Sequence, residues 1–260
     1  MRPLPRCVPS ERDEAADMVI RTHFEIDETA VTIVSEPEFV ETARDAIFDT
    51  REEIKRFIRT DPVFLHTLEP YDPPDDAHPI IKRMCDASRP AGVGPMATVA
   101  GVIAEEAVRA MVGRGARQAV VDNGGDIALY LTEPVNVGLY AGESDARDLG
   151  FRCEPRGSIF GICTSSGTVG PSISFGISDA ATVVSEDVAL ADACATYLGN
   201  LVTSGEDDVL TGALERVCAI TGVEGAIVIV GNKIAFKGSI PELVRSEVRM
   251  KDITKRDLSF

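Results

Sequence analysis

The chain has 260 residues, of which 44% are hydrophobic and 26% charged, so it can bury the core of one large domain or two small ones. Its net charge of −16 and pI near 4.6 disfavour binding to nucleic acid or anionic membrane surfaces, and no segment approaches the ~20 apolar residues of a membrane span. Six cysteines without a C-x-x-C pair exclude a zinc ribbon and a thioredoxin-type motif, and with no signal-peptide-like apolar run at the start they predict a cytoplasmic protein with free thiols.

The first elements in chain order are two strands and a long helix. MVIRTHFEI (18–26) and AVTIVSE (30–36) have the composition of strands. Ser35 and Glu38 have the spacing of a capping box at the start of a helix. Apolar residues then recur at near-helical spacing, which predicts one amphipathic helix that runs to about residue 59.

Helices and strands alternate in the rest of the chain. The predicted helices are a short one at 80–87, one within 91–115 that follows a glycine-rich loop, and two at 188–200 and 207–220. The predicted strands lie on both sides of Gly124-Gly125, in VNVGLYA, at 156–166 and at 181–187, and a hairpin passes through Gly231-Asn232. Strands in both halves, with no linker between them, predict a single α+β domain over residues 16–245. A loose, proline-rich segment (1–15) precedes it and a charged tail (246–260) follows it.

The stretch AGVGPMATVAG (91–101) is a glycine-rich loop that leads into a helix. Gly92 and Gly94 would let the backbone approach a ligand closely, and the free N–H groups of the helix start could bind a phosphate. A glycine-rich entry to a tightly packed helix explains the same residues equally well.

The stretch VVDNGGDIAL places Gly124-Gly125 between two apolar strands. A hairpin turn explains the two glycines. It does not require both flanking acids, Asp122 and Asp126, so a ligand contact is the second interpretation. Both interpretations remain open on the sequence.

The stretch VALADACATYLGN (188–200) is a helix of small residues that carries Asp192 and Thr196 on one face, four positions apart. A carboxylate and a hydroxyl are oxygen ligands suited to magnesium or calcium. Alternatively, Thr196 bonds the carbonyl one turn back and Asp192 caps another element. A buried carboxylate needs some partner, because leaving it unpaired is costly.

Four motifs together resemble the ApbE-like superfamily: AGVGPMATVAGVIAEEAV, VVDNGGDIAL, SSGTVGPSISFG and ALADACATYLGN. They are most similar to its uncharacterised branch from archaea and anaerobic bacteria. The resemblance implies a T-fold-related ApbE-like α+β domain with antiparallel sheets and long packed helices. The better-known members are magnesium-dependent flavin transferases, which move FMN from FAD to a Thr or Ser of a target protein.

The same resemblance assigns site residues. It implies that Asp192 and Thr196 hold a magnesium ion, which would neutralise charge on a pyrophosphate. It also implies that the turn Gly124-Gly125-Asp126 helps to line a flavin nucleotide site. The other residues predicted to bind the cofactor are Gly92, Gly94, Ser166 and Gly167.

The chain departs from the transferase pattern at two places. The transferases have a loop that reads like H-H-I-x-D-P, whereas PSISFGISDA (171–180) contains no histidine, and only Asp179 could stand in for the acid. They also carry a lysine in an A-K-G stretch, where this chain has Val99-Ala100-Gly101. A proton-handling group and an anion contact of the transferases are therefore missing.

These observations predict a protein that binds a divalent cation, Mg²⁺, and a small phosphorylated ligand such as FAD or FMN, without the transferase histidines. Three alternatives stay open: an active magnesium-dependent FMN transferase that uses FAD, a non-catalytic scaffold, and an accessory protein in sulfide assimilation into homocysteine. The last follows from the resemblance to the archaeal branch, with Cys163 or Cys194 as the sulfur carrier, although core filling also explains both thiols. Because related folds assemble through sheet edges, a homo-oligomer is expected.

Overall fold

Short runs rich in β-branched and apolar residues form eleven strands within residues 18–26, 29–139, 141, 148–167 and 176–246, which the computed structural model describes. The strands are β1 Ile20–Ile26, β2 Thr29–Ser35, β3 Ala119–Asn123, β4 Asp126–Tyr130, β5 Val135–Gly138, β6 Leu149–Cys153, β7 Phe160–Ser165, β8 Ala180–Ser185, β9 Val223–Val230, β10 Lys233–Gly238 and β11 Glu242–Arg245. The predicted loose segment 1–15 and all but Ser246 of the predicted tail lie outside the described residues.

Two antiparallel sheets are built from these strands. Eight strands form the large sheet in the order β1-β2-β3-β4-β7-β8-β9-β10, and three form a small sheet in the order β11-β6-β5. All strand pairs in both sheets are antiparallel. The outer strands β1 and β10 are therefore the two edges of the large sheet.

Helices form the third layer of the molecule. They are α1 Val40–Thr60, α2 Val63–His66, α3 Pro79–Ser88, α4 Val99–Gly113, α5 Val188–Leu201 and α6 Asp207–Cys218. The helices pack on one face of the large sheet and the small sheet packs on the other.

The central strands are buried on both faces, because side chains alternate between the two faces of a strand. In β3, Val121 joins the core under the helices, whereas Val120 joins the core under the small sheet. The prediction of a single α+β domain with antiparallel sheets and long packed helices is confirmed.

The capping box predicted at Ser35 and Glu38 is wrong. Ser35 is the last residue of β2, which pairs with both β1 and β3, and its hydroxyl donates to the Glu36 carbonyl at 3.1 Å. The 3₁₀ turn Pro37–Phe39 follows, and α1 begins at Val40 without a side-chain cap. Strand pairing on both sides holds Ser35 in the sheet, so the local capping signal is overridden.

The sequence did not predict β6 and β11, which pair with each other in the small sheet. Both strands are short, with five and four residues, and neither shows a long apolar run. Their pairing depends on partners that are distant in sequence.

No single helix within the described residues is both long and apolar enough to cross a membrane. The helical segments Pro79–Ala91 and Pro95–Gly113 would reach that length together, but a bend of 100° separates them.

Candidate functional site

One end of the large sheet brings the sequence motifs together. Strand β3 ends at Asn123, β4 begins at Asp126, β7 ends at Ser165 and β8 begins at Ala180. Because these strands are neighbours and antiparallel, all four positions lie at the same end of the sheet. The Gly-Gly turn and the residues that flank SSGTVGPS are therefore close in space.

The turn between β3 and β4 explains its two glycines. Gly124 has φ +69° and Gly125 has φ +105°, a left-handed region in which residues with a side chain are strained. The Gly125 N–H donates to Oδ1 of Asp122 at 2.9 Å, so Asp122 closes the turn. The turn gives no role to Asp126.

Asp126 lies on the face of the sheet that the helices cover. It pairs directly with Cys163 of β7, whose thiol donates to the Val188 carbonyl of α5 at 3.6 Å. Directly paired residues in a sheet project to the same face. Asp126 therefore lies beneath α5, the helix that carries Asp192.

Asp192 caps another helix. Its side chain is buried, and Oδ2 accepts from the Gly101 N–H at 2.8 Å, with a second hydrogen bond from the Ala100 N–H. Both amides belong to the first turn of α4, where N–H groups lack partners within the helix. The alternative interpretation, in which Asp192 caps another element, matches this geometry.

Acidic side chains converge at this point. Burial raises the pKa of Asp192 to about 7, although the hydrogen bonds from Gly101 and Ala100 lower it in part. Burial, with repulsion from Asp192 and Asp122, holds the pKa of Asp126 well above its usual range. Among the described residues, no basic side chain forms an ion pair with Asp126 or Asp192. The arrangement favours uptake of a proton or a cation.

Thr196 follows Asp192 by one helical turn in α5 and is half-buried. Its hydroxyl could join the carboxylates as an oxygen ligand. Within the described ranges, no group of three or more His, Cys, Asp and Glu side chains is arranged to hold a metal ion. A cation at this place would therefore also need hydroxyl, carbonyl or ligand oxygens.

Packing and backbone conformation explain Gly92 and Gly94. Gly92 has φ +66° and ends the 3₁₀ turn Arg89–Ala91. A Cβ at Gly94 would lie 2.0 Å from the Thr67 carbonyl oxygen. The sequence predicted that free N–H groups at this helix start could bind a phosphate. One of them, the Gly101 N–H, instead donates to the Asp192 carboxylate.

Gly167 and Asp179 flank the loop that follows β7. The Gly167 N–H donates to the Ser178 carbonyl at 2.9 Å, and Ser166 lies between β7 and Gly167. Oδ2 of Asp179 accepts from the Gly231 N–H at 2.6 Å, in the turn between β9 and β10. Residues 168–175, which include the first half of the predicted loop 171–180, lie outside the described residues.

Cys163 and Cys194 are both buried. Burial, together with the nearby Asp126 and Asp192, raises the pKa of the Cys163 thiol well above its usual value. Burial raises the pKa of Cys194 to about 12. Both groups are protonated near neutral pH, and a thiol is a poor nucleophile compared with a thiolate.

The sequence prediction missed Asn123, which fixes the position of the turn against α4. Its side-chain amide donates to the Ala100 carbonyl at 3.2 Å. Asn is common in hairpin turns, so the turn alone explains Asn123 at the level of the sequence. The sequence feature that marks Asn123 is its position directly before the two turn glycines, where the structure places the end of β3.

Comparison with known proteins shows extensive similarity. A model of the family described as "AbpE bacteria" matches residues 12–235. A UPF0280 protein of Methanosarcina barkeri is 48% identical over 94% of this chain and 96% of its own length. A UPF0280 protein of Methanocella arvoryzae is 50% identical over 90% of this chain and 95% of its own length.

Two solved structures share the fold. The ApbE protein of Thermotoga maritima aligns with TM-score 0.59 and 14% identity, over 92% of this chain and all of its own. The flavinyl transferase ApbE of Pseudomonas stutzeri, in its apo form, aligns with TM-score 0.54 and 12% identity, over 85% of this chain and 94% of its own.

Proposed function

Since this chain belongs to the ApbE-like family, and within it to the archaeal UPF0280 proteins, we propose that it binds a divalent cation together with a small phosphorylated ligand. The cation is Mg²⁺, held by Asp192 and Thr196. The ligand is a flavin nucleotide, FAD or FMN, at the end of the large sheet that carries the Gly124-Gly125 turn.

The observation that carries this proposal is the convergence of Asp126 and Asp192 without a basic partner among the described residues. Burial raises the pKa of both carboxyl groups, and repulsion from Asp192 raises that of Asp126 further. A bound divalent cation would remove the repulsion and stabilise the ionised carboxylates.

The oxygen atoms at this place suit magnesium. Carboxylate and hydroxyl oxygens are hard ligands, and Mg²⁺ commonly combines one or two carboxylates with substrate phosphates. The bonds from Gly101 and Ala100 do not exhaust the Asp192 carboxylate, which has two oxygens and about four lone-pair sites. A bound Mg²⁺ would supply neutralisation of phosphate charge.

The flavin assignment is supported by the family and by the motifs. One solved structure with the same fold is named a flavinyl transferase. In this chain the Gly-Gly turn exposes backbone beside Asp126, so a nucleotide could approach it closely. Gly124 and Gly125, with Asp126, Ser166 and Gly167, remain the proposed nucleotide contacts.

We propose ligand binding and not flavin transfer. The segment 171–180 contains no histidine, and the Asp179 carboxylate bonds the Gly231 N–H. Flavin transfer needs a group that handles a proton near the reacting oxygen. No observation favours sulfur transfer, because Cys163 and Cys194 are buried thiols with raised pKa values.

Calorimetric titration with FAD and FMN, with and without millimolar Mg²⁺, tests the proposal. The wild-type protein is expected to bind nucleotide in a magnesium-dependent manner, and Asp192→Asn is expected to weaken this binding at least tenfold, because a cation ligand loses its charge. Asp208→Asn removes the same charge from an exposed position in α6 and should bind like wild type. Absence of binding by wild type, or equal binding by Asp192→Asn, would contradict the proposal.

A further inference from the structure

Among the residues that the structure describes, two buried serine hydroxyls have no hydrogen-bond partner. Ser165 is 7% exposed and Ser178 is fully buried, and the Oγ atoms of both are unpaired. Within the described part of the chain, the other buried side-chain polar atoms without a partner belong to Glu36 and Arg83, and each of these side chains forms a hydrogen bond through another atom. For the two serines, the side chain has only the one polar atom.

An unpaired buried hydroxyl is unusual. Most buried side-chain polar atoms in folded proteins have a partner, because desolvation of the group is otherwise uncompensated. Neighbouring hydroxyls in this sheet follow the rule, since Thr164 and Thr182 bond each other at 2.9 Å. The unpaired Ser165 hydroxyl therefore calls for a separate explanation.

Ser165 lies on the side of the sheet that faces the helices. It follows Cys163 by two residues in β7 and pairs with Ala181, and both neighbours belong to the core under the helices. Its side chain therefore shares a face with Asp126, which pairs with Cys163. Ser165 lies two residues nearer than the Asp126–Cys163 pair to the end of the sheet.

Helix α5 packs across this part of β7 and closes over the same region. It passes from Val188, which contacts Cys163, towards its C-terminal end near the residues that precede β8. There a Cβ at Gly176 would lie 1.9 Å from the Gly199 carbonyl oxygen. Because α5 runs from beside Cys163 towards Gly176, it passes over the end of β7 at Ser165.

We infer that Ser165 is a further ligand-binding residue of this site, whose hydroxyl donates a hydrogen bond to an anionic oxygen of the phosphorylated ligand. The inference rests on the proposed function and adds a residue to it. The carboxylates of Asp126 and Asp192 only accept hydrogen bonds when ionised, so they cannot supply this contact. A hydroxyl donor on the same face provides what an anionic ligand needs beside a cation.

Two alanine variants separate a ligand-binding hydroxyl from a structural one. Ser165→Ala removes an unpaired hydroxyl, so thermal unfolding of the free protein should stay unchanged or shift upward. The Ser185 hydroxyl, at the other end of the same sheet, donates to the Gly222 carbonyl at 2.8 Å and accepts from the Asp187 N–H at 3.0 Å. Ser185→Ala should therefore lower the unfolding temperature.

Titration calorimetry should show the opposite order of effects for FAD affinity, with the larger effect in Ser165→Ala. We expect Ser165→Ala to weaken FAD binding in millimolar Mg²⁺ by roughly tenfold, the effect of one hydrogen bond to a charged group. Binding of Mg²⁺ alone to this variant should be unchanged, and Ser185→Ala should bind FAD like wild type.

Three results would overturn the inference. A loss of stability in Ser165→Ala equal to that of Ser185→Ala would show a structural role. Unchanged FAD affinity in Ser165→Ala, with binding by wild type, would refute the inference and leave the proposed function intact. Absence of FAD binding by wild type would refute both.

Discussion

Asp192 combines a structural contact with a candidate ligand position. Its carboxylate accepts hydrogen bonds from the first turn of α4, which explains why an acid is tolerated in a buried helix of small residues. The same carboxylate repels that of Asp126, and this repulsion adds to burial in disfavouring the ionised form of Asp126. A bound cation would favour ionisation of Asp126 and Asp192, because it stabilises the charged form of each carboxylate.

The proton on Asp192 should make the stability of the free protein depend on pH. The folded-state pKa of about 7 lies above the unfolded value of about 3.9, so the folded protein binds this proton more tightly. This contribution to stability is complete below about pH 4 and is lost as the pH rises through about 7. The free energy of unfolding of the wild type should fall by roughly 2–4 kcal/mol across this window.

Asp192→Asn should flatten this dependence, because Asn does not titrate. Asp126 contributes in the same direction, so part of the slope should remain. Urea unfolding at pH 4.5 and pH 7.5, in a chelator, measures the effect, with Asp208→Asn as the control. An identical slope in wild type and Asp192→Asn would show that Asp192 does not hold a proton in the folded state.

At the scale of elements, the site depends on how closely α4 approaches α5. A Cβ at Gly101 would lie 2.8 Å from the Val188 carbonyl oxygen and 2.9 Å from Cβ of Asp192. The absence of a side chain at Gly101 therefore allows the Asp192 carboxylate to reach the amides of α4. Asn123 holds the β3–β4 turn against the same helix start, so both contacts fix the turn relative to α5.

Gly101→Ala is expected to destabilise the protein by about 1–3 kcal/mol, because the added methyl forces two helices apart. Gly113→Ala is the matched control in the same helix, since a Cβ there meets nothing within 4 Å. It should stabilise the protein by up to about 1 kcal/mol through helix propensity. Urea midpoints compare the two, and equal effects of the two changes would contradict the close crossing of α4 and α5.

At the scale of the molecule, a buried carboxylate ties three helices together. Glu105 of α4 is fully buried and bonds Arg83 of α3 at 2.5 Å and Arg109 of its own helix at 2.5 Å. Arg83 also bonds Asp187, which caps α5, at 3.2 Å. The network fixes the helical layer on the large sheet and so keeps the start of α4 beside Asp192.

Glu105→Ala should cost about 3–5 kcal/mol of unfolding free energy, because it leaves the half-buried Arg83 without its main partner. Glu154→Ala is the contrasting control, because its ion pair with Arg152 is exposed. It should change stability by less than about 0.5 kcal/mol. Thermal or urea unfolding measures both, and a Glu105→Ala variant as stable as Glu154→Ala would show that the network does not hold the helices.

The sequence by itself determined most of the helices and strands, and the family. Hydrophobic period and turn residues predicted α1, α4, α5, α6 and the hairpin at Gly124-Gly125, because these signals are local. The capping signal at Ser35 failed and β6 was missed, because pairing with distant strands decides both.

Only the tertiary structure decided which atoms meet. Gly101 and Asp192 are 91 positions apart, yet one donates to the other, and nothing in either motif alone predicts this bond. The repulsion between Asp126 and Asp192 and the unpaired hydroxyl of Ser165 likewise arise from the packing of α5 over β4 and β7. Residue type and spacing define what a side chain can do, whereas burial and neighbours, which come from the whole fold, decide its charge and its partner.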